Sequence, residues 1–144
     1  MSLYRPFAER PPVRSSSSAI HFNDVNANIS LTLIDNLDSF IVLSNRTGFE
    51  HAIQQVLSHV SFDVDTKPQV FEVTIRALGG LLSAHLFASS EQCGFRIDGY
   101  TDALLVLARD LGERLLPAFA TPTGIPYARV RICDGGGNLL HFDY

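Results

Sequence analysis

Apolar residues recur at helical spacing in four stretches of the chain, and each of these stretches predicts a helix. The first is apolar around almost its whole circumference, which is typical of a buried helix. The second opens with a capping box, in which the Thr47 hydroxyl and the Glu50 carboxylate satisfy free amides at a helix start. The predicted helices cover residues 29–43, 47–60, 69–88 and 102–119. Helices joined by loops in this order predict an all-α fold of two helical hairpins.

The third stretch has two different faces. Its apolar stripe, at spacings i, i+4, i+7, i+11 and i+15, consists of Phe71, Ile75, Leu78, Leu82 and Leu86. The opposite face carries Glu72, Arg76, Gly79, Gly80 and Ser83. A glycine inside a helix costs about 1 kcal/mol relative to alanine, so two adjacent glycines indicate that another backbone or a ligand comes close. We therefore expect the apolar stripe to be buried and the polar face to hold any chemistry.

The segments outside the helices divide the chain into three parts. Prolines and a serine run predict an irregular segment over residues 1–19. Residues 20–132 hold the predicted helices, and alternation at residues 129–132 predicts a short strand. Residues 133–144 have no clear period. The total of 144 residues predicts a single domain.

Composition excludes several classes of function. A net charge of −4 and a pI near 5.6 lack the basic footprint that phosphate contacts require, so we expect no nucleic-acid partner. With 46% hydrophobic and 18% charged residues, the chain is too apolar to be disordered. No stretch approaches the roughly 20 consecutive apolar residues of a membrane span. The N-terminus lacks the apolar run of a secretory signal, so no signal peptide is expected in this chain.

Cysteine and histidine spacing gives no metal motif. Cys93 and Cys133 are too far apart for a Cys-x-x-Cys site, and whether they form a mutual disulfide is left open. The histidines lack the i+3 to i+5 spacing of a metal-binding helix, so each is expected to be a polar filler. No metal ligand is predicted within the chain.

Glu72 and Arg76 are the strongest candidates for chemistry, because they are four residues apart and share one helix face. Such a pair can be an ordinary surface salt bridge. It can also be a carboxyl group in a partly dry pocket, with Arg76 setting its charge or binding a polar substrate. Burial would raise the carboxyl pKa and the cation would lower it, and the spacing does not decide between them.

Two further sets of residues stand out. Asp35 and Asp38 share one face of an otherwise apolar helix, where a charge is costly unless it is paired. They either anchor that helix by hydrogen bonds or contribute acidic groups to the site of Glu72. Asn28 and Asn45 each begin an Asn-x-Ser/Thr sequence and are candidate glycosylation sites, although Thr47 has a competing role as a helix cap.

Five blocks of the sequence resemble glycoside hydrolase family 47, the class I α-mannosidases. The likeness is greatest to the branch called endoplasmic-reticulum degradation-enhancing α-mannosidase-like proteins. The blocks follow the family's order and extend from Asn23 to Ile132. They are Asn23-Asp24-Val25, SLTLIDNLDS (30–39), VSFDVD (60–65), VFEVTIRALGGLLSAHL (70–86) and RLLPAFATPTGIPYARV (114–130).

The resemblance implies a fold and a reaction. The family's fold is an α/α barrel (toroid) of seven helical hairpins, of which this chain would form about the first two. Its members are calcium-dependent, inverting exo-glycosidases that trim α-1,2-linked mannose from high-mannose N-glycans. By motif position Glu72 matches the catalytic acid, Arg76 its partner in contacting substrate, and Asp35 an acidic residue that lines the site. Inversion fits this assignment, because it needs an acid and a second carboxylate about 6.5–9.5 Å apart.

The resemblance also implies where the protein acts and which parts of the family's active site this chain lacks. It places the protein in the endoplasmic reticulum, with glycoproteins as substrates and redox or quality-control proteins as partners. The water-activating carboxylates and the calcium-anchoring threonine lie in later hairpins of the family, so calcium ligands are not expected here. The divergent tail suggests a truncated chain that is inactive by itself and exposes an apolar edge. A non-catalytic helical module that binds glycans or misfolded glycoproteins is the alternative.

Overall fold

A computed structural model describes residues 29–133. The predictions for residues 1–19, for most of the tail and for Asn28 lie outside the described residues. Within them the chain is helical and its longer helices are α1 (Leu31–Asp35), α2 (Leu37–Val42), α3 (Arg46–His59), α4 (Val70–Ser89) and α5 (Ala103–Leu115). Short 3₁₀ helices occupy Glu91–Cys93 and Leu116–Phe119. The all-α prediction is confirmed.

The first predicted helix is in fact two short helices that meet at Asn36. The Asn36 side-chain amide donates to the Thr32 carbonyl at 2.7 Å. Asparagine side chains compete with the backbone for hydrogen bonds in this way, which disfavours an uninterrupted helix. As a result Asp35 ends α1 and Asp38 lies in the first turn of α2.

The capping box predicted at Thr47 is wrong, because the cap of helix α3 lies two residues earlier. Its cap is Asn45, whose side-chain oxygen accepts a hydrogen bond from the Gly48 amide at 2.9 Å. Asparagine is at least as good a cap as threonine, so the helix begins at the first suitable residue. Glu50 is then free to pair with Arg46, whose Nε lies 3.0 Å from Oε1 of the glutamate.

Helix α4 has the predicted extent but buries a different face. The residues that enter the core are Val70, Val73, Ala77, Leu81, Ala84 and Ala88. In contrast, Phe71 is 67% exposed and Leu86 is 62% exposed, so the predicted burial of their stripe is wrong. The helix is apolar on most sides, and its small alanines let neighbouring helices approach closely where larger side chains would hold them apart.

The core joins both hairpins. Helices α1 and α2 pack on α3 and on α4, and α4 packs on α5. The buried cluster includes Leu37 from the first hairpin and Leu111 from the second, with Phe62 from the intervening loop. Two hairpins therefore share one apolar interior, as the helical spacing predicts.

The segment that follows α5 returns to the loop before α4. Backbone hydrogen bonds link Val70 to Ala128 at 2.9 Å and Ile132 to Thr66 at 3.2 Å. Between them Gln69 and Arg129 form an isolated bridge, so the strand predicted at residues 129–132 does not develop. Arg114 holds the end of this segment by donating to the Ile132 carbonyl at 2.7 Å.

By length and composition alone, Val70–Ser89 is long and apolar enough to cross a membrane. Core helices of globular domains meet the same criteria. This helix has one face packed in the core and a charged pair near its start.

Several large apolar side chains remain on the surface of the described residues. On α4 they include Phe71, Ile75 and Leu86, and on α5 Val106 is 67% exposed. Exposed apolar surface of this kind favours association with other molecules.

The buried and exposed faces of α4 predict that substitutions of two leucines have very different effects on stability. Leu81→Ala removes a fully buried side chain and should lower the free energy of unfolding by about 2–5 kcal/mol. Leu86→Gln should change it by less than about 0.5 kcal/mol and should reduce self-association. Urea denaturation and analytical ultracentrifugation measure the two effects. An equally large loss of stability in both variants would contradict the assignment of faces.

Candidate active site

One guanidinium group joins two carboxylates at the start of α4. Nε of Arg76 lies 2.6 Å from Oε2 of Glu72, and Nη1 of Arg76 lies 2.9 Å from Oδ2 of Asp35. The first contact is local to α4, whereas the second joins residues 41 positions apart in the chain. The structure thus brings together the three residues that sequence analysis placed in the site.

The site is open to solvent. The side chains of Asp35, Glu72 and Arg76 are 41%, 42% and 49% exposed. The described residues therefore form no dry pocket around Glu72, and a ligand can reach all three groups. Exposed ion pairs contribute only about 0–1 kcal/mol to stability, so this arrangement adds little to the free energy of unfolding.

The Arg76 guanidinium stays charged between two carboxylates. The hydrogen bonds that it donates to Glu72, first, and to Asp35, second, raise its pKa above the ordinary value. One cation is therefore shared by two carboxylates that come from different helices.

The backbone around Arg76 departs from regular α-helix. Residues Thr74–Leu78 form a π-helical turn inside α4. Such turns are rare and occur frequently at functional sites. This turn includes Arg76 and follows directly after the segment Val70–Val73, which carries Glu72.

The glycine prediction is confirmed for one of the two residues. A Cβ atom on Gly80 would lie 3.1 Å from the Ile34 carbonyl oxygen, so the α1 backbone approaches closely here. A Cβ on Gly79 would have no neighbour nearer than 3.7 Å. Gly80 therefore allows α1 to bring Asp35 within reach of Arg76.

Asp38 and Ser83 form a second polar contact with α4, which joins it to α2 instead of α1. The Ser83 hydroxyl lies 2.9 Å and 3.0 Å from the two Asp38 carboxylate oxygens. Of the two roles left open for the aspartates, Asp35 contributes to the site and Asp38 anchors its helix. Sequence reasoning missed the Asp38–Ser83 contact, because its partners are 45 positions apart and no local pattern joins them.

The remaining candidate residues lie away from this site. Asn45 caps α3, and its glycosylation stays a prediction. Cys93 is exposed and Cys133 contacts Oδ1 of Asp65 at 3.6 Å, so no disulfide joins the two cysteines. Among residues 29–133, no group of three or more His, Cys, Asp or Glu side chains is placed to hold a metal ion.

Comparison with known proteins identifies the family of the chain. The model of glycosyl hydrolase family 47 matches residues 4–139, which is nearly the whole chain. The chain therefore belongs to glycosyl hydrolase family 47.

Individual relatives agree with this assignment. The chain is 53% identical over 124 residues to ER degradation-enhancing alpha-mannosidase-like protein 1 of Schizosaccharomyces pombe, covering 86% of this chain and 16% of the relative. It is 46% identical over 112 residues to alpha-mannosidase I MNS4 of Arabidopsis thaliana, and the match covers 78% of this chain and 18% of the relative. It is 44% identical over 114 residues to ER degradation-enhancing alpha-mannosidase-like protein 3 of Homo sapiens, and the match covers 78% of this chain and 12% of the relative. The chain thus spans less than a fifth of the length of each.

The close approach at Gly80 predicts a difference between neighbouring glycines. Both Gly79→Ala and Gly80→Ala gain helix propensity, but only the second places a methyl group against the Ile34 carbonyl. We expect Gly80→Ala to be less stable than Gly79→Ala by about 1–3 kcal/mol. Chemical denaturation of the two variants measures the difference, and equal stabilities would show that α1 does not pack here as described.

Proposed function

We propose that the protein acts as an α-1,2-mannosidase that removes mannose from high-mannose N-glycans with inversion, using Glu72 as the proton donor. The observation that carries this proposal is that Arg76 pairs with both Glu72 of α4 and Asp35 of α1, and that all three side chains are accessible. Family membership supports a glycosidic substrate, and the relative from Arabidopsis thaliana is named an alpha-mannosidase.

The residues of the site have separate roles in this proposal. Protonated Glu72 donates its proton to the oxygen of the departing sugar, because that oxygen is a poor leaving group as an anion. Arg76 and Asp35 bind sugar hydroxyl groups, since a guanidinium donates and a carboxylate accepts hydrogen bonds. The second carboxylate that inversion requires, which activates water, is expected outside this chain.

Calcium is part of the proposal as a family expectation. The described residues offer no set of ligands for it, so no step of the reaction is assigned to the ion here. A role in glycoprotein quality control within the endoplasmic reticulum, with redox or quality-control partner proteins, is proposed because relatives carry the words "ER degradation-enhancing" in their names.

A non-catalytic binding module is the second candidate. The exposed apolar side chains on α4 and α5 favour it, because surfaces of this kind bind unfolded polypeptides. In that case the site of Glu72 and Arg76 would contact a glycan without cleaving it.

A chimaera tests the catalytic proposal, since the chain matches only 18% of the Arabidopsis mannosidase and we propose that it does not hydrolyse glycans alone. The corresponding segment of that relative is replaced by this chain, and mannose release from a labelled high-mannose glycan is measured. Glu72→Gln should lower the rate by about 10²–10⁴-fold, the usual contribution of a general acid.

The chain provides a matched control for this substitution. Glu113 forms a similar i,i+4 pair with Arg109 at 2.8 Å on the exposed surface of α5. Glu113→Gln should leave mannose release unchanged. Full activity in Glu72→Gln would refute the role of the acid, whereas a chimaera that binds the glycan without releasing mannose would favour the binding module.

A further inference from the structure

The contact between Ser83 and Asp38 has no part in the chemistry proposed above. It joins α4 to α2, whereas Arg76 joins α4 to α1. The Ser83 hydroxyl carries one proton and lies nearly equidistant from both carboxylate oxygens, so either oxygen can accept it. The contact is partly buried, which shields it from competing water more than the contacts of Arg76 are shielded.

Three contacts follow one another along α4. Arg76 contacts Asp35, Gly80 meets the Ile34 backbone, and Ser83 contacts Asp38. The first and the last are seven residues apart on α4, which is about two helical turns. The polar contacts therefore lie at the two ends of a seam with the glycine contact between them.

Because the helix breaks at Asn36, α1 and α2 are separate short helices. A single rigid helix therefore does not fix the position of Asp35 relative to α4, and contacts at both ends of the seam are needed to fix it. The long side chain of Arg76 is about half exposed and loses considerable rotamer freedom when it is held in one position. Its orientation then depends on where the docked pair of helices places Asp35.

We propose that Ser83 and Asp38 are positioning residues for the Arg76 site. By holding α2 against α4, they keep Asp35 in the place where it and Glu72 share the guanidinium of Arg76. This inference rests on the proposed function for its link to substrate binding, but the positioning itself can be measured separately.

The test uses the full 144-residue chain and the NMR signal of the Arg76 Nη1–H group, which donates to Asp35. Ser83→Ala removes the hydroxyl, and Ser83→Thr retains it. In Ser83→Ala the exchange of the Arg76 Nη1–H group with water should accelerate about three- to tenfold, as expected when one hydrogen bond's net stabilisation is lost. Ser83→Thr should restore the slow exchange.

Arg109 supplies an internal control in the same spectrum. Its Nε donates to Glu113 at 2.8 Å in a similar pair on α5, away from the seam. The Arg109 Nε–H signal should not respond to substitutions at Ser83. If Ser83→Ala does not fold, Asp38→Asn gives a milder lesion of the same contact, because it removes the charge while keeping one acceptor for the Ser83 hydroxyl.

The possible outcomes distinguish a positioning role of Ser83 from a role in stability alone, and they also distinguish both from the proposed function of Glu72. If Ser83→Ala lowers the melting temperature while Arg76 and Arg109 exchange as in the parent chain, the contact is only structural and the proposal is overturned. A selective response of Arg76 supports it, whatever the chimaera shows. Retained hydrolysis in the Glu72→Gln chimaera would instead refute the proposed function alone.

Discussion

The candidate site depends on the close packing of α1 against α4 at Gly80. The Ile34 carbonyl oxygen would lie 3.1 Å from a Cβ atom on Gly80, and this approach brings Asp35 within 2.9 Å of Arg76. A side chain at this position would require the two helices to separate by a few tenths of an ångström. The cost of a glycine inside a helix is thus offset by a close contact that a side chain would hinder.

This packing turns a local ion pair into a contact that joins two helices. Glu72 and Arg76 alone would be one of several i,i+4 pairs on the surface, similar to Arg109 and Glu113. The additional carboxylate of Asp35 gives the Arg76 cation a second anionic partner, which comes from a different helix. The π-helical turn at Thr74–Leu78 lies at the same place, and the three side chains remain about half exposed.

The helical segments and the residues of the candidate site could be predicted from the sequence. The contacts between residues that are distant in the chain could not. The polar face of α4 was recognised from Glu72, Arg76 and the adjacent glycines, because these residues are close in the chain. The prediction of the buried stripe was wrong because α4 is apolar on several sides. In a sequence, alanines indicate a buried face less clearly than large apolar residues such as Phe71 or Leu86. The contact of Ser83 with Asp38 depends on tertiary packing, which spacing along one helix cannot reveal. The cap of α3 was misplaced because Asn45 and Thr47 are both good capping residues.

The most direct measurement concerns the role of Glu72 as an acid. Fluoride leaves a sugar without needing a proton, whereas the oxygen of a mannoside needs one. In the chimaera with the Arabidopsis mannosidase, Glu72→Gln should therefore slow cleavage of α-1,2-linked mannobiose by about 10²–10⁴-fold while sparing hydrolysis of α-mannosyl fluoride. Equal loss of both activities would contradict the account, because it would show that Glu72 does something other than protonate the leaving group.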